Sequence, residues 1–126
     1  MSFESFAYER RTLPATILSG ASVSGPISLA GLCLVGVAIP AASGWTAAAL
    51  TIEVSVDNGA SWISPFNAAG SATGTYSSPA AGSGYAVDMD SLLPYNMIRI
   101  RSGTTATPVN QGADRALTII ARVSTV

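Results

Sequence analysis

Beyond Pro14 the hydrophobic positions alternate with polar ones, or gather into short apolar runs broken by Gly, Pro, Ser and Asn. That rhythm belongs to short strands in a sandwich or barrel, and no helical period of comparable strength competes with it. Strands are predicted over residues 15–19, 27–30, 32–39, 49–56, 62–66, 85–89, 97–102 and 116–124. In three of them the period of two assigns the faces. Leu50, Ile52, Val54 and Val56 point inward against Thr51, Glu53 and Ser55. Ile98 and Ile100 point inward against Arg99 and Arg101, and Leu117, Ile119, Ala121 and Val123 against Thr118, Ile120 and Arg122. The run 32–39 is apolar at every position, which suits a central strand covered on one side by a second sheet and on the other by a loop or a neighbour. A buried helix is the competing reading of that run. The expectation is an all-β chain: one antiparallel β-sandwich or jelly roll over residues 13–126, preceded by an extended N-terminal arm over residues 1–12.

The arm differs in composition from the rest. It holds Phe3, Phe6 and Tyr8 together with Glu4, Glu9, Arg10 and Arg11, in a chain whose charged fraction is only 10%. Aromatic residues spread through a polar terminus suit a segment that lies on another surface, so Phe3, Phe6, Tyr8, Arg10 and Arg11 are candidate partner-binding residues. Folding back on its own domain is the plainer alternative. Residues 67–84, rich in Ala, Gly and Ser with Tyr76 as the one large side chain, read as a long loop.

Charge then narrows the function. All six basic residues are Arg, there is no Lys or His, and the net charge is -1. No basic footprint for nucleic acid follows. Weak colloidal repulsion suits a chain that works inside an assembly. The uncharged stretch 12–52 has its apolar heart at residues 29–42, short of the ~20 residues a spanning helix needs and interrupted by Gly31, Gly36 and Pro40. No membrane partner is expected, and an N-terminus reading MSFESFAYERR does not resemble a signal peptide.

Candidate chemistry is sparse. The single Cys33 lies in the apolar run, and without His or Lys no nucleophile has an evident base. Glu9 and Glu53 stand isolated in the sequence, and Asp88 and Asp90 lack the oxygen-rich neighbours of a calcium loop. No catalytic residue, metal site or cofactor is therefore expected. Arg99 and Arg101 share one strand face and Arg122 is expected to join them from a neighbouring strand. Their guanidinium forks suit carboxylates on a partner, or Asp88, Asp90 or Asp114 within the chain.

The octapeptide Ser55-Val56-Asp57-Asn58-Gly59-Ala60-Ser61-Trp62 resembles the Asp-box hairpin of sialidases and other β-propellers, S-x-D-x-G-x-[ST]-W, in a single copy. The resemblance implies a structural hairpin built by Ser55, Asp57, Asn58, Gly59 and Trp62. Over most of its length the chain is similar in pattern to small virion proteins of tailed bacteriophages. The segments that carry the similarity are GPISLAGLCLVGVAIPAA, TAAALTIEVSVDNGASW, the Gly/Ser/Ala-rich middle and LLPYNMIRIRSGTTATPVNQGADRALTIIARV. That resemblance implies a non-enzymatic capsid decoration (cement) protein on the virion surface, bound to the major capsid protein or other virion proteins and forming a homo-oligomer such as a trimer. The alternative is a carbohydrate- or receptor-binding module of a phage fibre or adhesin, with Trp45, Trp62, Tyr76 and Tyr85 as stacking residues. Aromatics gathered in a concave patch would favour the sugar reading; aromatics on the arm and at a subunit seam would favour cementing.

Overall fold

A computed structural model describes residues 10–88, 92 and 94–123. The chain forms eight strands: β1 (Arg10–Ile17), β2 (Ile27–Ser28), β3 (Leu32–Ile39), β4 (Leu50–Ser55), β5 (Thr75–Tyr76), β6 (Ser83–Ala86), β7 (Met97–Ser102) and β8 (Arg115–Val123). They build two four-stranded antiparallel sheets, ordered β1-β8-β3-β6 and β2-β7-β4-β5. Apart from β4 and β5, which pair within the second sheet, successive strands pass from one sheet to the other, and the resulting order is that of an eight-stranded jelly roll. A 3₁₀ turn, Ala41–Ser43, follows β3.

The alternation read from sequence sets the core. Ile17, Leu34, Val37, Ile39 and Ile119 of the first sheet meet Leu50, Ile52, Val54, Ile98 and Ile100 of the second, all essentially without solvent contact. The helical alternative for 32–39 is excluded, and the apolar run has a local cause. The pairing of β3 with β8 slips between Leu34 and Gly36, a bulge at Val35. A bulge shifts the in/out parity by one, so Leu34 and Val37 both reach the core although three residues separate them. Two inward sets with opposite parity read as one continuous apolar segment.

Other expectations are corrected. Val56 does not join the inward set: β4 ends at Ser55, the chain turns away, and Val56 is 71% exposed. Residues 62–66 contribute isolated bridges, Val54 with Ile63 and Phe66 with Ala72, in place of a full strand. The loop expected at 67–84 contains β5, whose residues pair with Leu50 and Thr51, and the start of β6. The arm is shorter than its composition suggests. Arg10, Arg11 and Thr12 belong to β1 and pair with Arg122, Ala121 and Ile120 of β8. Pro14 sits in the same strand, which a missing N–H allows because β1 is an edge. Phe3, Phe6 and Tyr8 lie outside the described residues, as does Asp90.

Candidate functional site

The two outer faces of the sandwich are built differently. On the second sheet the outward residues of β4, Thr51, Glu53 and Ser55, are 1–2% exposed, because the chain lays a third layer over them. One part of that layer is the hairpin after β4. Ser55 Oγ accepts the Gly59 N–H at 2.8 Å and donates to Asp57 Oδ1 at 2.8 Å. Asp57 accepts the Ser61 N–H at 2.9 Å and the Ser61 hydroxyl at 2.5 Å. Asn58 and Gly59 take φ of 57° and 87°, the consecutive left-handed pair that an Asn-Gly hairpin turn supplies. The turn lies down on the sheet: a Cβ at Gly59 would meet Met97 Sδ at 3.3 Å and Trp62 Cζ2 at 3.5 Å. The five residues assigned to a structural hairpin are thus brought together as one.

The Ser61 hydroxyl and amide, with the Ser55 hydroxyl, hold the Asp57 carboxyl down at about 2, against a usual 3.8. Its folded value lies below its unfolded value, so its contribution is complete above about pH 4 and is lost as the pH falls towards 2. Asp57→Asn should melt several degrees below the parent at neutral pH and converge with it near pH 2, as checked by thermal melts across that range. A deficit that persists at pH 2 would contradict the carboxylate's role.

The second part of the layer is an ion cluster. Glu53 and Arg99 are register partners across β4 and β7, and Thr51 and Arg101 are the next pair. Arg99 Nε donates to Glu53 Oε1 at 2.7 Å, Arg101 Nε to Oε2 at 2.7 Å, and the Thr105 hydroxyl to Oε2 at 2.6 Å. Burial pushes the Glu53 carboxyl up, but the donors from Arg101, Thr105 and Arg99 outweigh it and leave the carboxyl below its usual range. Arg99 also stacks on Trp62, its guanidinium carbon 4.6 Å from the ring centroid. The arginines do project from one face as expected, and the carboxylate they meet there is Glu53. Asp114 instead accepts the Ser19 N–H at 2.8 Å. Arg122 does not join them: it is on β8, in the other sheet. A carboxylate with both oxygens taken by charged donors is poorly placed to move protons, and this one orients two guanidinium groups.

The proposed stacking residues are similarly occupied. Trp45 donates Nε1–H to the Ala48 carbonyl at 3.1 Å and packs on the core. Tyr76 and Tyr85 pack on each other, centroids 5.4 Å apart, and their hydroxyls bond the backbone of Ala86 and Ala80. With Trp62 under Arg99, the four do not form one open platform.

Two residues that sequence reasoning passed over tie the opposite end. Gln111, 1% exposed, accepts the Thr46 N–H at 2.8 Å and donates to Ser102 Oγ at 2.7 Å. Arg115 donates to Gln111 Oε1, the Ser43 carbonyl and Thr46 Oγ1 at 2.8–3.0 Å. Neither carried a signal, since both stand in a polar stretch of turn-like composition.

The outer face of the first sheet has no such covering among the described residues. Thr12, Pro14 and Thr16 of β1, Ala116, Thr118 and Ile120 of β8, Cys33 and Ala38 of β3, and Gly84 and Ala86 of β6 are exposed or half-buried there. The surface they make is small-residued and neutral, with Arg10 and Arg122 opposite each other at one end.

No family model and no curated protein matches the chain. Among solved structures it is similar to the Yersinia pseudotuberculosis-derived mitogen, at 12% identity and a TM-score of 0.42, over 94% of this chain and 89% of that one. A likeness of that size carries no argument about function.

Proposed function

We propose that this chain is a non-enzymatic structural protein of a virion, a capsid decoration or cement protein held against the major capsid protein and against other copies of itself. The observation that carries the reading is the contrast between the two faces. The second sheet spends its charges and aromatic groups on a layer of its own. The first presents a continuous neutral surface whose central strands are still apolar on the outside, at Cys33, Ala38 and Ile120. Among the described residues no loop covers that surface, and its outward Cys33, Ala38 and Ile120 suit a neighbouring molecule as the cover.

The jelly roll recurs in viral capsid and lectin domains, an analogy of fold that is compatible with the reading but does not carry it. The fibre or adhesin alternative loses its motivation because Trp45, Trp62, Tyr76 and Tyr85 are engaged within the fold. The neutral face supplies the test. Thr118, flanked by Pro14 and Ala38 in the registers of β1 and β3, is half-buried at its centre. Thr118→Lys should weaken sedimentation with purified particles by about tenfold or more while leaving the melting temperature nearly unchanged. Undiminished binding would remove this face from the interface.

A further inference from the structure

A cleft of about 420 Å³ opens between the two sheets at the end where β2 turns into β3 and β4 ends. Apolar Leu32, Leu34, Val56 and Tyr95 line it together with polar Ser55 and Asn96, and none of its described lining is charged. Leu34 and Leu92 are buried at its floor, whereas Val56 is the most exposed of the large hydrophobic residues. A site of this volume and chemistry suits aromatic or aliphatic groups and disfavours ions.

The position of the chain's start bears on what fills it. Arg10 pairs with Arg122, and Arg122 pairs with Cys33, so the start of β1 lies in the same cross-strand row as the cleft wall. Two strand spacings, about 10 Å, separate them. Nine residues precede Arg10 and include Phe3, Phe6 and Tyr8. Extended, nine residues span at most about 30 Å. That suffices to reach a second molecule facing this end, and each copy offers the cleft and the segment side by side.

We infer that the cleft is the receptor for the aromatic side chains of residues 1–9 of a neighbouring copy. The inference rests on the assembly reading above and names the surface on which the arm docks. Within one chain Tyr8 stands only two residues from Arg10, and two residues span at most about 7 Å, less than the two strand spacings of about 10 Å. Exchange between copies buries Val56 together with the aromatic groups.

The test uses full-length chains in a Cys33→Ser background, mixed in pairs. One carries Ala7→Cys, which keeps all three aromatics; the other carries Val56→Cys at the cleft mouth. A third chain, with Ala106→Cys in the loop after β7 at the opposite end, is the control. After treatment with a short bismaleimide, the 7–56 mixture should yield cross-linked heterodimer at least tenfold above the 7–106 mixture. Equal yields would overturn the inference. So would a 7–56 link that forms only within a chain carrying both cysteines. If either happens while deletion of residues 1–9 still abolishes the oligomer, the arm assembles on another surface. If the deletion leaves the oligomer intact as well, the assembly role of the arm falls with it.

Discussion

Glu53→Gln is expected to lower the stability of this domain by about 3 kcal/mol, the scale seen when one partner of a buried ion pair is removed. The carboxylate is 1% exposed and accepts from Arg99, Arg101 and Thr105. An amide of the same shape has one acceptor oxygen, so one arginine Nε would face an N–H donor. A melting temperature lower by on the order of 10 °C should follow, with the β-rich circular dichroism spectrum retained. The deficit should also depend on pH. The folded carboxyl titrates below its usual 4.5, so its contribution is complete above that value and fades as the pH falls through the lower folded value. Parent and variant should therefore converge in acid. A loss under about 1 kcal/mol at neutral pH would mean that the cluster behaves as a surface ion pair and does not organise the outer layer.

Deletion of residues 1–9 is expected to have the largest effect on assembly and a small one on folding. The described residues begin at Arg10, whose strand is registered residue by residue with β8 through Ile17, so the deletion removes no described sheet pairing. What it removes is Phe3, Phe6 and Tyr8, the aromatic groups whose proposed burial on a partner would offset the cost of ordering nine residues there. The truncated chain should melt within a few degrees of the parent. It should fail to form the oligomer, or occupy particles at least tenfold less, in size-exclusion and co-sedimentation measurements. A collapsed fold with undiminished particle binding would place the segment in the core and withdraw its assembly role.

Most of the fold could be read from the order of residues, because its strands are half-buried and alternate. The bounds of β3 and β7 match the predicted ones, and the inward faces of β4, β7 and β8 follow their period of two up to Ser55. Departures occur where a local signal was absent or misleading. The bulge at Val35 changes parity without any glycine or proline at the slipped residue itself. Arg10 and Arg11 looked like part of a polar tail because an edge strand carries charge where a central one would not. β5 is two residues long and sits in a low-complexity stretch. The Asn58-Gly59 turn is legible because its chemistry is local, with Ser55, Asp57, Gly59 and Ser61 bonding to one another. The Glu53 cluster was not, although all its members were in view. Its partners are 46 to 52 residues apart, and only the register of β4 against β7 brings Glu53 opposite Arg99. With that register unknown, the arginines looked available and the glutamate isolated.

The central proposal, that this chain is a structural component of a virion, is tested most directly by a quantitative mass-spectrometric inventory of purified particles of the phage proposed to encode it. The account predicts the chain in fixed ratio to the major capsid protein, retained through density-gradient purification. Its absence from purified particles, with the protein found free in the lysate, would contradict the account.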